Sequence, residues 1–461
     1  MLAKHAKVLL INPTYEAFNW APHIGLGYLA SYLKKNGHFV KIIDGLKSRF
    51  NGIDFHDFWK ANGPYDIVGI TSLISSYAKS IDMAREAKKY NTIVVLGGPH
   101  AAWMPEKSLK DSGADFVLRG EGEIGLSMLA DGKDRGTIPG LMWLENGALQ
   151  LGAPSVFHEN LDDFGQPDWE QIKPADYQHS PHGFVTMESP IAPVITTRGC
   201  PYDCSFCSAS IIAGKKIRYR SPALIVDEIS RLVNEFSVRE IQISDDNFTF
   251  NRQHAISVCE EILNRGIDVP WSLPNGIRLD KIDKELLAIM KKSGCYSTSV
   301  GIESGTQRIL EMVGKHLRVD IVAERVNLIS EAGIAVNGFF MLGFPTETKD
   351  EMLRTIELAL SLPLDRASFS RVTPLPGTRM FADWIKTAGA EMNIDSLYDE
   401  TTNLFNFNTC WSDVDIVEIR RLTKYAMFRF YSRPRVFLNT LKMVKPRQFK
   451  YFVKRLLTLF S

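Results

Sequence analysis

The sequence predicts an α/β protein built in two successive parts: a doubly wound parallel sheet, then a partial (β/α)6 barrel, with a basic α-helical C-terminal extension. Three observations predict it. Short apolar runs alternate with amphipathic segments of helical period along most of the 461 residues, the pattern of strands covered by helices. The alternation breaks over 152–192, which is rich in Pro, Asp and His, and then resumes for six further strand–helix units. The charge is also split: the net is +1, but 421–461 carry eleven Lys/Arg and no Asp/Glu, leaving 43 basic and 53 acidic residues, a net of −10, in the first 420.

With 45% hydrophobic, 23% charged and 10% aromatic residues, the composition is that of a globular protein and excludes disordered, collagenous and disulfide-scaffold chains. The acidic body excludes a general polyanion-binding surface there, and no nucleic-acid module is recognisable. The N-terminal apolar run is too short for a signal-peptide core, and no stretch approaches the roughly 20 apolar residues that span a bilayer, so a cytoplasmic, reducing location is expected.

The first part opens with an apolar strand over Lys7–Asn12 and a helix from Ile24 to Asn36. Strands follow at Phe39–Ile43, Asp66–Thr71, Thr92–Leu96 and Phe116–Leu118, with helices at Ser80–Tyr90 and near Glu106–Ser112. This is a Rossmann-like arrangement expected over 1–140. A hairpin at Leu141–Leu151, turning at Asn146-Gly147, and a linker fill 141–190. The run from Gly25 to Ala30 imitates a dinucleotide fingerprint, but twelve residues separate it from the strand where the fingerprint requires none. Close helix–sheet packing is the expected reason for Gly25 and Gly27.

The second part, 191–385, places strands at Val194–Thr197, Glu240–Ser244, Val269–Leu273, Thr298–Gly301, Ala335–Leu342 and Ala367–Arg371. Helices are expected at 222–236, 252–265, 283–292, 319–332 and 349–361. Six units are too few to close an eight-fold TIM-type barrel, and in such folds chemistry sits at the C-terminal ends of the strands.

Directly after the first of these strands come Cys200, Cys204 and Cys207. Three thiols so closely spaced can wrap one face of a small inorganic cluster. A closed zinc site wants a fourth ligand at short spacing, and none is present: Cys259 and Cys295 fall in or beside apolar faces, and Cys410 is remote. A [4Fe–4S] cluster normally takes four thiolates, so three leave one iron open. A zinc site completed by a distant residue is the alternative.

The CxxxCΦC pattern, with Phe206 before the last cysteine, resembles the radical S-adenosylmethionine (SAM) superfamily over about 190–385. The resemblance implies that SAM chelates the open iron and that an electron from an external flavodoxin- or ferredoxin-type donor drives its cleavage to a 5′-deoxyadenosyl radical. It places Asp245 and Asp246, in Ser244–Thr249, against the methionine amine, and Arg278, after Asn275-Gly276-Ile277, against the carboxylate. Glu303 would meet ribose hydroxyls or the amine, and Gly343 and Pro376 would lie in adenine-lining loops. Taken singly, Glu303 also reads as a cap for a helix near Thr306, and Asp245 and Asp246 as caps for the helix that follows them.

The first part resembles the cobalamin-binding domain fused ahead of many radical-SAM barrels, through Asn12-Pro13, Pro22–Ala30, Asp66–Ser72, Gly97–His100 and Gly120–Glu123. That implies a corrinoid contacted by Asn12, Gly25, Ser72, Gly97, Gly98, His100 and Glu121, with Gly97-Gly98 letting the macrocycle approach the backbone. The first loop lacks the Asp-x-His-x-x-Gly that supplies a cobalt ligand, and Asp54-Phe-His56 lies elsewhere. Cobalamin is therefore expected without a protein histidine below it, His100 acting as a hydrogen-bonding loop residue. A degenerate domain that binds no corrinoid is the alternative.

The whole resembles the family named for the anaerobic magnesium-protoporphyrin monomethyl ester cyclase and the phosphinate methylases. It implies methyl transfer from methylcobalamin to an unactivated carbon of a small-molecule or lipid-like substrate, one SAM being split and another remethylating the corrinoid. The alternatives are oxidative cyclisation, dehydration, hydration or rearrangement without methyl transfer, and a non-catalytic corrinoid or metal sensor. Tyr202, Phe248 and Arg371 are placed to face substrate. The extension, 386–461, interleaves aromatics with cations, either packed on the acidic body or lying on an anionic membrane surface.

Overall fold

The structure, a computed structural model, describes residues 5–14, 21–47, 55–177, 186–388 and 411–443. They form two compact units, one built mainly on residues before Gln178 and the other mainly on those after it.

The first unit holds a seven-stranded sheet. Its strands are β1 (Lys7–Asn12), β2 (Phe39–Asp44), β3 (Ile67–Thr71), β4 (Ile93–Gly97), β5 (Phe116–Leu118), β6 (Leu141–Glu145) and β7 (Ala148–Leu151). The order is β2-β1-β3-β4-β5-β6-β7. The first five are parallel and covered by helices, which is why Val8–Ile11 read as an unbroken apolar run, each at most 1% exposed. β6 and β7 form the expected hairpin, turned by Asn146 and Gly147 at φ 52° and 79°. The 2-1-3-4-5 order reverses direction between β1 and β3, and the crevice at their C-terminal ends is where such folds bind ligands.

A short helix over Pro99–Trp103, which the sequence did not suggest, precedes the expected one, observed at Pro105–Ser112. Helix Ile24–Lys35 is capped by His23, whose Nδ1 accepts from Leu26 N at 3.2 Å. Helix–sheet packing does not explain its glycines. Gly25 is exposed beside His23, and a Cβ on Gly27 would lie 2.7 Å from Ile172 Cδ1 and 2.8 Å from Pro167 Cβ, in the loop segment after the sheet.

The second unit contains β8 (Ile191–Val194), the two-residue antiparallel pair β9 (Thr197–Arg198) and β10 (Arg218–Tyr219), and then β11 (Glu240–Ile243), β12 (Trp271–Ile277), β13 (Cys295–Glu303), β14 (Ala335–Leu342) and β15 (Arg366–Arg371). The six long strands are parallel in the order β15-β14-β13-β12-β11-β8, a partial barrel with β8 and β15 as its two edges. β8 stops three residues before the expected Thr197, because Thr196 and Thr197 turn to bond Asp245. β12 runs past Leu273 through a register shift with Gly276 at φ 98°, so Asn275-Gly276-Ile277 lie within its bulged end instead of after it.

The edge at β15 is covered by the helix Ile416–Tyr431, which buries Ile419, Leu422, Ala426 and Phe430. Tyr431 OH donates to Ala367 O at 2.9 Å and accepts from Ala367 N at 3.4 Å, satisfying an edge-strand residue that would otherwise be open. Lys349 meets Glu418 at 2.8 Å, and Arg433 Nη1 donates to Leu360 O at 2.8 Å. Packing against the body is thus what this part of the extension does on one face. The aromatic residues beyond Met443, namely Phe449, Tyr451, Phe452 and Phe460, lie outside the described residues, as does Cys410. Among the described residues no helix is long and apolar enough to cross a membrane.

Candidate functional site

Cys200, Cys204 and Cys207 are free and partly accessible on the loop that follows β9 at the C-terminal end of the barrel. The loop is stapled at its centre. Ser205 N donates to Val313 O at 2.8 Å, Ser205 O accepts from Met380 N at 2.9 Å, and Cys207 N closes a turn onto Cys204 O at 3.1 Å. Phe206 is an anchor: its ring lies 5.9 Å from Phe344, against the buried cluster of Ile309, Val313, Phe344, Val372 and Met380. Ala209 N points at Cys207 Sγ at 3.5 Å.

Among the described residues no three His, Cys, Asp or Glu converge on a point suited to one metal ion. A [4Fe–4S] cluster spreads its thiolates over different irons and asks for no such convergence. Cys259 and Cys295 are buried on other elements. Burial pushes all three loop thiols up, Cys207 to about 11. Neighbouring thiols add to this, while the cations Lys315 and Arg278 oppose it at Cys204.

The two aspartates after β11 have separate fates. Asp245 is fully buried, accepting from Thr196 N at 2.7 Å, from Thr197 Oγ1 at 2.9 Å and from the Thr196 hydroxyl. Burial raises its carboxyl to about 6 against those hydrogen bonds. It ties the start of the cysteine loop to β11 and is not presented to a ligand, a correction to the expected contact with the methionine amine. Asp246 reaches solvent while walled by protein that pushes its carboxyl up, and it acts electrostatically on Cys200 and Cys207. Neither caps the next helix; Asn251 does, accepting from His254 N at 3.1 Å.

Arg278 also departs from its expected role. Its Nε bonds Asp280 at 2.8 Å, Nη1 and Nη2 bond the carbonyls of Lys315 and His316 at 2.9 and 2.8 Å, and its guanidinium stacks 3.7 Å from the Tyr202 ring centre. It clasps the cysteine loop to the segment after Val313. Tyr202 is half of that clasp, and Phe248, 1% exposed against Trp271, faces the core and not a substrate.

Glu303 ends β13 in the left-handed region at φ 66° and pairs with Lys315, Oε1 to Nζ 2.8 Å. Glu303 does not cap the helix Gln307–Met312: Thr306 is its N-cap, and Ser304 Oγ accepts from Thr306 N at 3.2 Å. Burial works against the Lys315 charge, but Glu303 and Cys204 outweigh it and hold the ammonium above its usual range. His316 and Thr346 are left-handed too, at φ 50° and 57°. Three non-glycine residues held this way at one end of a barrel are a mark of a constrained site.

Gly343, at φ 92°, has its open side filled: a Cβ there would lie 2.9 Å from Ile419 Cδ1 of the C-terminal helix. Its conformation serves packing instead of approach to adenine. Pro376 is buried after β15. Glu347 fixes the same turn, accepting from Gly343 N at 2.7 Å and Phe344 N at 3.0 Å, while its buried Oε1 has no hydrogen-bond partner among the described residues.

One set of residues was missed from sequence. The register aligns Ser299, Asn337 and Arg366 in one row across β13–β15, and Gly301, Phe339 and Ser368 in the next. On β14 the residues of the opposite parity, Val336, Gly338, Phe340 and Leu342, are buried, whereas Asn337, Phe339 and Met341 stay partly accessible. Asn337 Nδ2 bonds Ser299 Oγ at 3.2 Å and Arg366 Nη2 bonds Ser297 Oγ at 2.7 Å. This face mixes Asn337, Arg366 and serines with Phe339 and Met341, where a closed barrel would be packed with branched apolar side chains. The two-residue alternation of Ser297, Ser299 and Gly301, and of Ser368 and Ser370, was the available signal.

In the first unit, the C-terminal ends of the parallel strands β1 to β5 lie along one edge of the sheet, at the crevice. Gly98 is at φ 85°, and a Cβ would fall 2.8 Å from Ser72 O and Thr71 Oγ1, so backbone crowding alone demands glycine. Gly97 differs: a Cβ there would meet nothing within 4 Å, which leaves a backbone face for a bulky ring. Ser72 Oγ and Asn12 Oδ1 are buried with no hydrogen-bond partner among the described residues. Asn12 Nδ2 bonds Asp44 Oδ1 at 2.8 Å, and Tyr177 OH bonds Asp44 Oδ2 at 2.6 Å. Glu121 stands half-buried before helix Gly122–Ala130. His100 lies on a helix instead of a loop, buried 4.4 Å from the Tyr77 ring centre, and burial with Lys107 lowers it to about 4. His23 is spent on its helix cap. The crevice fits a corrinoid, with an open glycine face and two orphaned polar atoms.

A three-thiol loop crowning a partial barrel, joined in one chain to a 2-1-3-4-5 sheet with this crevice, defines a radical enzyme with a corrinoid-binding domain. Comparison with known proteins agrees: the radical SAM superfamily profile matches residues 194–359 and the B12 binding domain profile residues 16–130. An uncharacterized methyltransferase of Pyrococcus horikoshii, PH0819, is 33% identical over 452 residues, 95% of each chain. Cytidylyl-2-hydroxyethylphosphonate methyltransferase of Streptomyces wedmorensis is 28% identical over 90% of this chain and 89% of its own. TsrM from Kitasatospora setae, a radical SAM methyltransferase with cobalamin and a [4Fe–4S] cluster bound, shares the fold at TM-score 0.70 and 20% identity, over 85% of this chain and 76% of its own. The chain belongs to the cobalamin-binding radical SAM family, enzymes of methyltransferase and cyclase type whose cofactors are a [4Fe–4S] cluster, SAM and cobalamin.

Proposed function

We propose that this enzyme methylates an unactivated carbon of a small-molecule or lipid-like substrate, in a reducing cytoplasm and with an external one-electron donor of flavodoxin or ferredoxin type. The observation that carries the reading is the stapled loop of Cys200, Cys204 and Cys207 in a chain that also holds a crevice with an open glycine face at Gly97. When bound, the cluster and SAM supply a carbon radical and cobalamin carries the methyl group.

In this reading the three thiols hold the cluster, and Ser205 and Phe206 keep their loop rigid. Asp246 faces the methionine ammonium as a carboxylate. Lys315 takes the methionine carboxylate, the task expected of Arg278, and Glu303 keeps one oxygen for an amine or hydroxyl. Pro376 shapes the wall beyond β15. The Ser299–Asn337–Arg366 row, with Arg371 at the end of β15, orients the substrate. Asn12, Ser72, Gly97 and Glu121 hold the corrinoid, with no histidine offered to cobalt.

Anaerobic reconstitution with cluster, cobalamin and SAM tests the reading. S-adenosylhomocysteine and 5′-deoxyadenosine rising together are expected; 5′-deoxyadenosine alone would replace methyl transfer with another radical reaction. Cys204→Ala should remove cluster absorbance and SAM cleavage together.

A further inference from the structure

The inward face of the C-terminal helices is committed to the barrel, but the outward face is not. Val417, Tyr425 and Phe428 on helix Ile416–Tyr431 are 67, 42 and 58% exposed, and Phe437 and Leu438 on helix Pro434–Met443 are both 53% exposed. These are five of the eleven large hydrophobics that stand exposed among the described residues, and they fall within 22 positions; the others are scattered singly. Residues 417, 421, 424, 425 and 428 follow helical spacing, so the apolar residues share a face with cations.

The charge of that face has one sign. Arg421, Lys424, Arg429 and Arg435 are exposed around the aromatics, and 421–443 contain no acidic residue. The acid just before them, Glu418, is already engaged by Lys349 at 2.8 Å and Arg421 at 3.1 Å. The remaining eighteen residues of the chain add five more Lys/Arg and no Asp/Glu. Aromatic side chains interleaved with Lys and Arg on the outer face of surface helices match the interfacial layer of a bilayer, where rings sit at headgroup depth and cations meet anionic lipid. Because Ile419, Leu422, Ala426 and Phe430 are packed inward at the same time, such docking needs no rearrangement of the barrel.

We propose that the outward face of helices 416–431 and 434–443 docks the enzyme on an anionic lipid bilayer, with Phe428, Phe437 and Leu438 entering the interface and Lys424 and Arg429 meeting headgroups.

Co-sedimentation of the full-length holoenzyme with phosphatidylcholine vesicles, with and without phosphatidylglycerol, tests this. Partition onto the anionic vesicles is expected, weakening with salt. Replacing Phe428, Phe437 and Leu438 together by Ser should lower it at least tenfold. Lys424→Gln with Arg429→Gln should lower it about twentyfold at low ionic strength. SAM cleavage in vesicle-free buffer should be unchanged in both variants, showing that each is folded. The proposal is overturned if the triple variant partitions like wild type, if phosphatidylcholine alone binds equally well, or if deletion of residues 444–461 accounts for all the binding. A vesicle-free dimer that the triple variant breaks apart would assign the face to a second copy and overturn it too.

Discussion

Lys315 Nζ lies 2.8 Å from Glu303 Oε1, and the pair sits directly over Gly301, where any side chain would strike both partners. A Cβ at that position would be 2.5 Å from the carboxylate oxygen and 2.7 Å from the ammonium. The pair is also an electrostatic neighbour of Cys204. Gly301→Ala should therefore move a charge pair at the mouth of the barrel while costing only about 1–3 kcal/mol of overpacking. At least a tenfold loss of SAM cleavage is expected, with the far-ultraviolet dichroism spectrum retained. Cleavage at the wild-type rate would remove the pair from the site.

The two glycines at the end of β4, its last residue Gly97 and the following Gly98, should respond differently to alanine. Gly98→Ala forces a Cβ into the Ser72 backbone at a positive φ and is expected to destabilise the first unit by about 2 kcal/mol or more. Gly97→Ala meets open space, so thermal unfolding should hardly change while retained cobalamin, read by its visible absorbance, falls. Equal cobalamin retention in Gly97→Ala and wild type would show that the ring does not use that face.

Arg220 and Glu228 form a buried ion pair of 2.6 Å, their side chains 3% and 0% exposed, and Arg220 Nη1 also holds Ile195 O at 2.8 Å. Glu228→Gln leaves the guanidinium buried without its counter-charge. A loss of about 3–5 kcal/mol is expected in denaturant titration. A loss below 1 kcal/mol would show that the Arg220 charge stays compensated without Glu228.

Glu347 carries a pH signature. Burial raises its carboxyl from 4.5 to about 7, against hydrogen bonds from Phe344 and Gly343; Glu351 adds to the rise and Arg308 opposes it. Between those two values the folded state holds a proton that the unfolded state has released, so this group's contribution to stability falls as pH rises through the window. Glu347→Gln lacks the effect. The stability difference, wild type minus variant, should fall by about 3 kcal/mol from pH 4.5 to 7. A difference independent of pH would show that folding leaves the Glu347 carboxyl at its ordinary value.

Elements with local signals were legible in the sequence. The helix over Lys349–Ser361 matches its expected span, because Thr348 and Glu351 close a capping box at its start. The Asn146-Gly147 turn and the β14 strand were equally local. The cysteine loop was legible because its three cysteines fall within eight residues of contiguous chain. The charged residues around it were not. Asp245 and Asp246 are chemically identical neighbours, and only the turn of Thr196 and Thr197 decides which is buried. Lys315 gives no local sign that it will meet Glu303, and Arg278 looks like a carboxylate binder until the carbonyls of Lys315 and His316 occupy it. Pairings made across a fold leave no periodicity to read.

Tyr431 and the helix that carries it finish the sheet at β15, which gives a premature stop codon in this region a particular outcome. A chain terminated before Tyr431 would display an unfinished parallel edge in every copy, open to strand pairing between molecules. Such an allele should yield insoluble polymer and loss of function from both sites, instead of a working enzyme that has merely lost its address. The last residues of this helix are the hem of the barrel, and an expression clone trimmed there would fail for reasons unrelated to catalysis.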